Sequence, residues 1–364
     1  MNWRSRWPQL TFAVLSTVML ANMQYGWTLF VNPMHDENHW SRASIQIAFT
    51  IMIFVNTWLS PVEGWLVDRY GPRGVVMAGG VFAALSWVMN SKAESLAMMI
   101  RDSGYRHAFR FFGFFQGIAI LICAVLLVKP TASRRALARP RKTIFQGAEL
   151  TPSQTIRSGV FWLLYLIYLL IAFGGMIMTA QLGPIARDFG LENQMVTVLG
   201  VATPVLALAL SIDNFANGIT RPLSGWLSDV IGRENMMLLI FCLEAVALFG
   251  MALFGRNPYG FLLFAALIFL FWGEIFVVFP ALSGDSFGIQ NAAANNGLLY
   301  TAKGTAALAV PLANLLMTAT GTWTSVLVTA GVCSLASGAL AKFALVPMRK
   351  RLANSSQPVS TLCT

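Results

Sequence analysis

Five stretches of this chain carry no acidic or basic side chain: residues 7–34, 43–62, 74–91, 111–128 and 158–186. Each is close to the roughly 20 residues a helix needs to cross the hydrocarbon layer of a bilayer. One Arg, Lys or Asp at the centre of such a helix costs about 2.5–3.5 kcal/mol on insertion scales, so repeated charge-free runs of this length mark lipid as the solvent. Further helices are expected at 203–228, 235–255, 258–282, 294–317 and 323–346, several with one embedded ionisable residue. The expected fold class is therefore all-α, a polytopic transmembrane bundle of about 10 helices. Only 11% of the 364 residues are charged, less than half the share usual in soluble domains, which excludes a soluble globular enzyme.

Basic residues in short loops set the orientation. Arg4 and Arg6 precede the first span, Arg69 and Arg73 follow the second, and Arg134, Arg135, Arg139, Arg141 and Lys142 lie between the fourth and fifth. By alternation these fall on one side, together with Arg233, Arg349, Lys350 and Arg351. Both termini and the basic linker at 129–157 are expected in the cytoplasm, and the net charge of +10 reads as topology, with no nucleic acid partner. The first span is too long for a signal-peptide core and is read as uncleaved. The expected division is 1–128 (four spans), 129–157 (linker), 158–348 (six spans) and 349–364 (cytoplasmic tail).

The chemistry of enzymes is missing. There are three histidines, His35, His39 and His107, and no HExxH, GxSxG or phosphate-binding glycine loop. Cys123, Cys242 and Cys333 lie in expected helices and Cys363 in the tail, without CxxC spacing, so neither a disulfide framework nor a zinc site is expected. His35 and His39 fall in an expected external loop, where solvated residues are the simpler reading than a metal site. No cofactor and no metal are expected.

The chain repeats itself. Gly64-Trp65-Leu66-Val67-Asp68-Arg69-Tyr70-Gly71-Pro72-Arg73-Gly74 matches Gly225-Trp226-Leu227-Ser228-Asp229-Val230-Ile231-Gly232-Arg233, and the same offset pairs Pro61 with Pro222 and Asn56 with Asn217. Glycines let two helices approach, and the Asp and Arg can pair across the ends of neighbouring helices as a conformational latch. These loops resemble the G-x-x-x-D-x-x-G-R signature of the major facilitator superfamily. The resemblance implies two pseudo-symmetric halves of six helices each, here present as four plus six. From Gly71 to Lys129 there are 58 residues, and from Gly232 to Arg349 there are 117. The difference equals two bilayer helices with their loops, and the family's fourth and fifth are the ones that are lacking. The junction is expected between about Met98 and Arg101, ahead of an unusually basic external segment with Arg101, Arg106 and Arg110.

Charge inside the membrane is a functional hypothesis by default. Arg221 precedes Asp229 by eight residues, about 12 Å along a helix, which places it well inside the bilayer. Lys303 is near the middle of its span. Two fixed cations facing one cavity would attract a compact dianion, Arg as a planar fork and Lys as a movable point charge. The alternative is that each cation has a carboxylate partner, Asp213 or Glu274, serving packing or carrying a proton. Asp213 is the better placed, since i to i+8 returns to nearly the same helix face as Arg221. Glu244 has no assigned place. Aromatics surround these charges: Tyr25 and Trp27, Trp272 and Phe276 four apart, and Tyr300 three before Lys303.

The segments Met23-Gln24-Tyr25-Gly26-Trp27, Asn217-Gly218-Ile219-Thr220-Arg221-Pro222, Trp272-Gly273-Glu274 and Tyr300-Thr301-Ala302-Lys303 are similar to the oxalate/formate antiporter family. That resemblance implies that Arg221 and Lys303 bind the two carboxylates of oxalate. Tyr25, Trp272 and Tyr300, with Gln24 and Phe276, would enclose it, with oxalate exchanged for formate by alternating access in a bacterial inner membrane. Phe276 stands where the family has a Tyr, and Asp213 adds an acid where it has an amide. The rivals are a proton-coupled monocarboxylate carrier and a non-transporting remnant. Lost helices would expose polar cavity walls to lipid, so the chain is expected to self-associate and to be less stable than a twelve-helix relative. Light scattering of the purified protein in detergent checks this, and a monomer as stable as such a relative would contradict it.

Overall fold

A computed structural model describes residues 26–92 and 149–355 apart from Leu199, together with Pro8, Thr11, Gln24, Ile118, Leu121, Ile122 and Val125. Most of the expected first span, nearly all of the 111–128 span, the 98–101 junction, the basic run 134–142 and the end of the tail lie outside these residues. The chain divides into two compact units, Met1–Trp40 with Trp65–Arg139, and Ser41–Gly64 with Pro140–Thr364. Among the described residues, five helical segments are long and apolar enough to cross a membrane: Arg42–Tyr70, Gly159–Asp188, Arg233–Phe254, Pro258–Phe287 and Trp323–Leu352.

In the first unit, helix α1 (Thr28–Asn38) ends at His39, whose left-handed backbone (φ 57°) turns its N–H onto the His35 carbonyl. The expected external loop His35-Asp36-Glu37-Asn38-His39 is thus helical through Asn38. Charge tells where the hydrocarbon ends, but Met, Asp and Glu do not stop a helix. The His35 imidazole is engaged at the Trp40 carbonyl, 2.6 Å away. Helix α2 (Arg42–Tyr70) gives its last residues to this unit and is followed by α3 (Pro72–Lys92). The two copies of the repeated loop adopt one turn, with Gly71 at φ 91° before Pro72 and Gly232 at φ 90° before Arg233.

The second unit opens inside the expected linker, whose end is ordered and helical. Thr151 and Gln154 form a capping box on α4 (Pro152–Arg157), with Pro152 at its first turn. There follow α5 (Gly159–Asp188), α6 (Val205–Ile231), α7 (Arg233–Phe254), α8 (Pro258–Trp272), α9 (Ile275–Phe287), α10 (Ala292–Ala307), α11 (Ala309–Thr320), α12 (Trp323–Ala339), a π-helical segment at Leu340–Leu345, and α13 (Val346–Ser355). An unforeseen antiparallel hairpin, β1 (Met195–Val198) with β2 (Val201–Pro204), precedes α6. Its β-branched residues around Leu199-Gly200, with Gly200 at φ 82°, suit a two-residue turn.

Three expected single helices are interrupted, each near a proline or glycine. Proline lacks the N–H that the carbonyl four residues back requires. Pro311 lies just past the α10/α11 junction, Pro347 past the π-helical turn, and Gly273 with Pro280 flank the α8/α9 junction. In lipid the freed carbonyls need new donors, and the first part of α2 supplies two. Pro184 frees the Ala180 carbonyl, which accepts from Gln46 Nε2 at 2.7 Å; Pro311 frees the Ala307 carbonyl, which accepts from Thr50 Oγ1 at 3.0 Å. At the start of α2, Arg42 donates to both carboxylate oxygens of Asp188, at 2.7 and 3.1 Å, and the Trp323 indole also donates there, at 2.8 Å. Farther along, α2 meets α10 so closely that a Cβ on Gly304 would lie 1.9 Å from Thr57 Oγ1.

Gln46→Leu strips the Ala180 carbonyl of its donor and should lower unfolding stability in micelles by about 1 kcal/mol. The same substitution at exposed Ile47 should leave it unchanged. Denaturant unfolding of the two variants side by side makes the comparison.

Candidate functional site

Helix α6 is polar inward and apolar outward. Asp213, Asn217, Thr220, Ser224 and Ser228 are buried along one face, whereas Phe215 and Trp226 are 70% and 68% exposed. That is the arrangement of a helix whose outer side meets lipid and whose inner side meets polar partners. Arg221 sits on the same helix, part-buried, and its Nη2 donates to Asn217 Oδ1 one turn back at 2.9 Å. Lys303 on α10 is buried and donates to the Tyr300 hydroxyl at 3.0 Å.

The two cations share an aromatic wall. The Arg221 guanidinium lies 4.7 Å from the centroid of the Phe276 ring, and Lys303 Nζ lies 5.1 Å from the same ring. Lys303 also stands 5.2 Å from the Tyr300 ring and 5.8 Å from Trp272. Trp272 meets Phe276 edge to face at 5.5 Å, and Phe276 and Tyr300 are tilted at 6.3 Å. Behind them Tyr168 stacks on Phe279 at 4.2 Å and meets Tyr300 edge-on at 6.3 Å. The Trp272 indole lies against bare backbone: a Cβ on Gly175 would be 1.9 Å from its Nε1. The α8/α9 junction at Gly273 puts Trp272 and Phe276 on either side of an interrupted helix, so both rings turn to the cations. Cations over ring faces are stabilised by the ring quadrupoles.

Of the residues singled out in the sequence, Arg221, Lys303, Trp272, Phe276 and Tyr300 come together here. Tyr25 lies outside the described residues, and Gln24 is a half-buried helical residue of the first unit. Among the described residues no ion pair joins Asp213 or Glu274 to either cation. Asp213 and Arg221 share a face but are two turns apart, and both Asp213 carboxylate oxygens are buried without a hydrogen-bond partner. Glu274 is buried beside Ser224. Glu244 is fully buried on α7, with a carboxylate oxygen against Gly174.

The latch residues divide. In the second copy, Arg233 pairs with Asp229 at 3.0 Å, with Asp285 of α9 at 2.7 Å, and donates to Ser228 at 2.8 Å, while Gly225 touches Val277. Next to it, Arg349 pairs with Glu234 and donates to Ser286. In the first copy, Arg69 lies over Trp65 and Tyr70, at 5.3 and 5.4 Å, and Arg73 donates to the Val125 carbonyl. Asp68 is on the last turns of α2, and Gly64 abuts the Ala293 backbone of α10 within the second unit. Reading by pattern passed over Asn217 as a partner of Arg221, Tyr168 behind the wall, and Asp285. Only Asn217 carried a signal, its i−4 spacing from Arg221.

A family model described as Major Facilitator Superfamily matches residues 12–101 and 191–361. The oxalate:formate antiporter of Oxalobacter formigenes is 27% identical, over 84% of this chain and 83% of its own. The uncharacterized MFS-type transporter YhjX of Escherichia coli (strain K12) is 24% identical, over 82% and 84%. Among solved structures, the E. coli fucose:proton symporter FucP superposes with a TM-score of 0.56 at 10% identity, covering 92% of this chain and 98% of its own. The peptide transporter POT, solved with alafosfalin, superposes at 0.58 and 13% identity, covering 97% of each. Both show the fold.

Gly175→Val drives a side chain into the space of Trp272. Overpacking of this kind displaces the ring and should weaken the binding of any ligand held by this wall about tenfold. Gly284→Val, at a position with open space around it, is the control, and calorimetric titration of both proteins gives the comparison.

Proposed function

Because the chain belongs to the major facilitator superfamily, we propose that it exchanges small carboxylate anions, oxalate against formate, by alternating access. It is an integral membrane transporter and not an enzyme; the proposed setting is a bacterial inner membrane with both termini in the cytoplasm. The observation that carries the substrate reading is that Arg221 and Lys303, from two different helices, meet on one aromatic wall. The Oxalobacter formigenes relative, an oxalate:formate antiporter, points the same way.

The charge balance gives a physical reason for exchange. Two cations brought together away from water are unfavourable, because they repel and desolvation removes the hydration that stabilised them. A planar dianion cancels both charges, its carboxylates meeting the guanidinium fork and the ammonium while its faces lie against rings. The loaded site can then be enclosed, whereas the empty site resists it. Transport becomes swap rather than leak, and the rings of Trp272, Phe276 and Tyr300 limit the slot to small flat anions.

One observation supports a second reading, a proton-coupled monocarboxylate carrier: Asp213 is a buried acid without a hydrogen-bond partner among the described residues. Such a carrier needs one cation only and runs on a pH gradient without counter-substrate.

The test is uptake of labelled oxalate into proteoliposomes loaded with oxalate or formate. Exchange is expected from the unmodified chain. Arg221→Gln and Lys303→Gln should each lower oxalate affinity about a hundredfold or more, since each leaves a carboxylate facing a lost charge, while Lys303→Arg keeps part of it. A neutral variant that binds oxalate normally would remove that residue from the site. Uptake driven by a pH gradient into vesicles without internal anion would favour the second reading.

A further inference from the structure

Glu244 stands midway along α7, outside the site described above. Its side chain is fully buried, and both carboxyl oxygens are without a hydrogen-bond partner among the described residues. Three helices meet at it: a Cβ on Gly174 of α5 would be 3.3 Å from Glu244 Oε1, 3.2 Å from Leu248 Cδ1 and 3.6 Å from the Ala330 Cβ of α12. The neighbours it is given there are hydrocarbon and bare backbone.

The charged groups of the surrounding helices are engaged elsewhere or stand at other levels. Helices α8 and α12 carry no Lys, Arg, His, Asp or Glu. On α5 the charges are Arg187 and Asp188 at its far end, Asp188 being held by Arg42. On α7 itself they are Arg233 and Glu234 in the first turn, paired with Asp229 and Asp285 and with Arg349. Lys342 of the π-helical segment donates to Asn235 at 2.6 Å. On α6, Arg221 donates to Asn217 and Asp213 is a second buried acid; Glu274 lies beside Ser224. Of the other titratable groups, Cys242 and Cys333 are free thiols, Tyr165 is bonded to Thr305, Tyr168 is stacked on Phe279, and Tyr259 is exposed. The surroundings suit a neutral carboxyl group, whereas a carboxylate has no donor or cation here and must reach water.

The residue next to Gly174 gives this a consequence. A Cβ on Gly175 would be 1.9 Å from Trp272 Nε1. The stretch of α5 that closes over Glu244 therefore also seats the indole of the aromatic wall, where Trp272 meets Phe276 and Lys303.

We propose that Glu244 is a proton-binding site, separate from the anion site, that controls the aromatic wall through α5. With the proton in place, α5 lies close over Glu244 at Gly174, and Gly175 seats Trp272. When the proton leaves to water, the carboxylate draws water between α5 and α7, α5 tilts away, and Trp272 loses its seat. The sign of the linkage follows: the wall binds best with Glu244 protonated, so affinity falls as pH rises, and by reciprocity ligand binding takes up protons. The proposal concerns the wall and holds for any ligand bound there; oxalate is the probe because of the carboxylate reading above.

The experiment uses the full chain in lipid nanodiscs across a range of about pH 5 to 9. Infrared spectroscopy follows the C=O band of protonated carboxyl groups, hydrogen exchange follows the α5 segment around Gly174, and calorimetry follows oxalate affinity. The proteins compared are the unmodified chain, Glu244→Gln, Glu244→Met and Asp213→Asn. In the unmodified chain a component of the band should vanish as pH rises, the α5 segment should exchange faster than in Glu244→Gln at the same pH, and oxalate affinity should fall about tenfold in the same step. Both Glu244 variants should lack that band component and the step in exchange and affinity, and Asp213→Asn should keep them. A buried acid with a structural role only would leave exchange and affinity indifferent to its proton. If Glu244→Gln does not fold, the apolar Glu244→Met, of similar length, decides. An unmodified chain without the step, a Glu244 variant that keeps it, or its loss in Asp213→Asn alone would overturn the proposal. The infrared and exchange measurements need no ligand, so if oxalate does not bind, the carboxylate reading fails while these two still decide the role of Glu244.

Discussion

A polar group in the hydrocarbon of a bilayer has no water to turn to, and every distinctive feature of the second unit answers to that constraint. Proline is tolerated inside its helices because another side chain arrives at the carbonyl it frees: Gln46 at Ala180 and Thr50 at Ala307. Serine and threonine hydroxyls donate to helix carbonyls, Thr179 to Gly175 of its own helix and Ser337 to Ile167 of a neighbouring one. The polar face of α6 is turned inward and its phenylalanine, leucine and tryptophan outward, the reverse of a soluble helix.

The same constraint concentrates charge. Ions that can pair do so near the helix ends, where Arg42 meets Asp188 and Arg233 meets Asp229 and Asp285. Arg221 and Lys303 are placed in the interior, over aromatic faces and beside the neutral acceptors Asn217 and Tyr300.

Much of this was legible in the chain. Charge-free runs located α2, α3 and α5, because hydrocarbon length and the cost of inserting charge are local properties of sequence. The repeated Gly-Trp-Leu-x-Asp loops announced two like turns, and Gly71 and Gly232 share one backbone angle. Arg221, Lys303, Trp272 and Tyr300 stood out as unusual at mid-span and Phe276 by its four-residue spacing from Trp272, and they do meet on neighbouring helices. What escaped was relational. The end of α1 ran past the last apolar residue, since helix and hydrocarbon end for different reasons. The capping box at Thr151 was visible but lay in a segment dominated by basic residues. Asp285 acquired its role only from Arg233, and Tyr168 only from Phe279 and Tyr300, through contacts between residues far apart in the chain.

The adjacent glycines of α5 carry a further consequence. Gly174 gives its face to Glu244 and Leu248 of α7, and Gly175 gives the adjoining side to Trp272 of α8. Two neighbouring helices thus press on one helix at consecutive residues, from different directions. A helix keyed in this way can tilt with its neighbours, but it can neither spin about its axis nor slip by a residue, because either displacement would bring a side chain of α5 into one of the two contacts. Helix α5 therefore behaves as a splined shaft, whose only permitted motion is that of the group of helices around it.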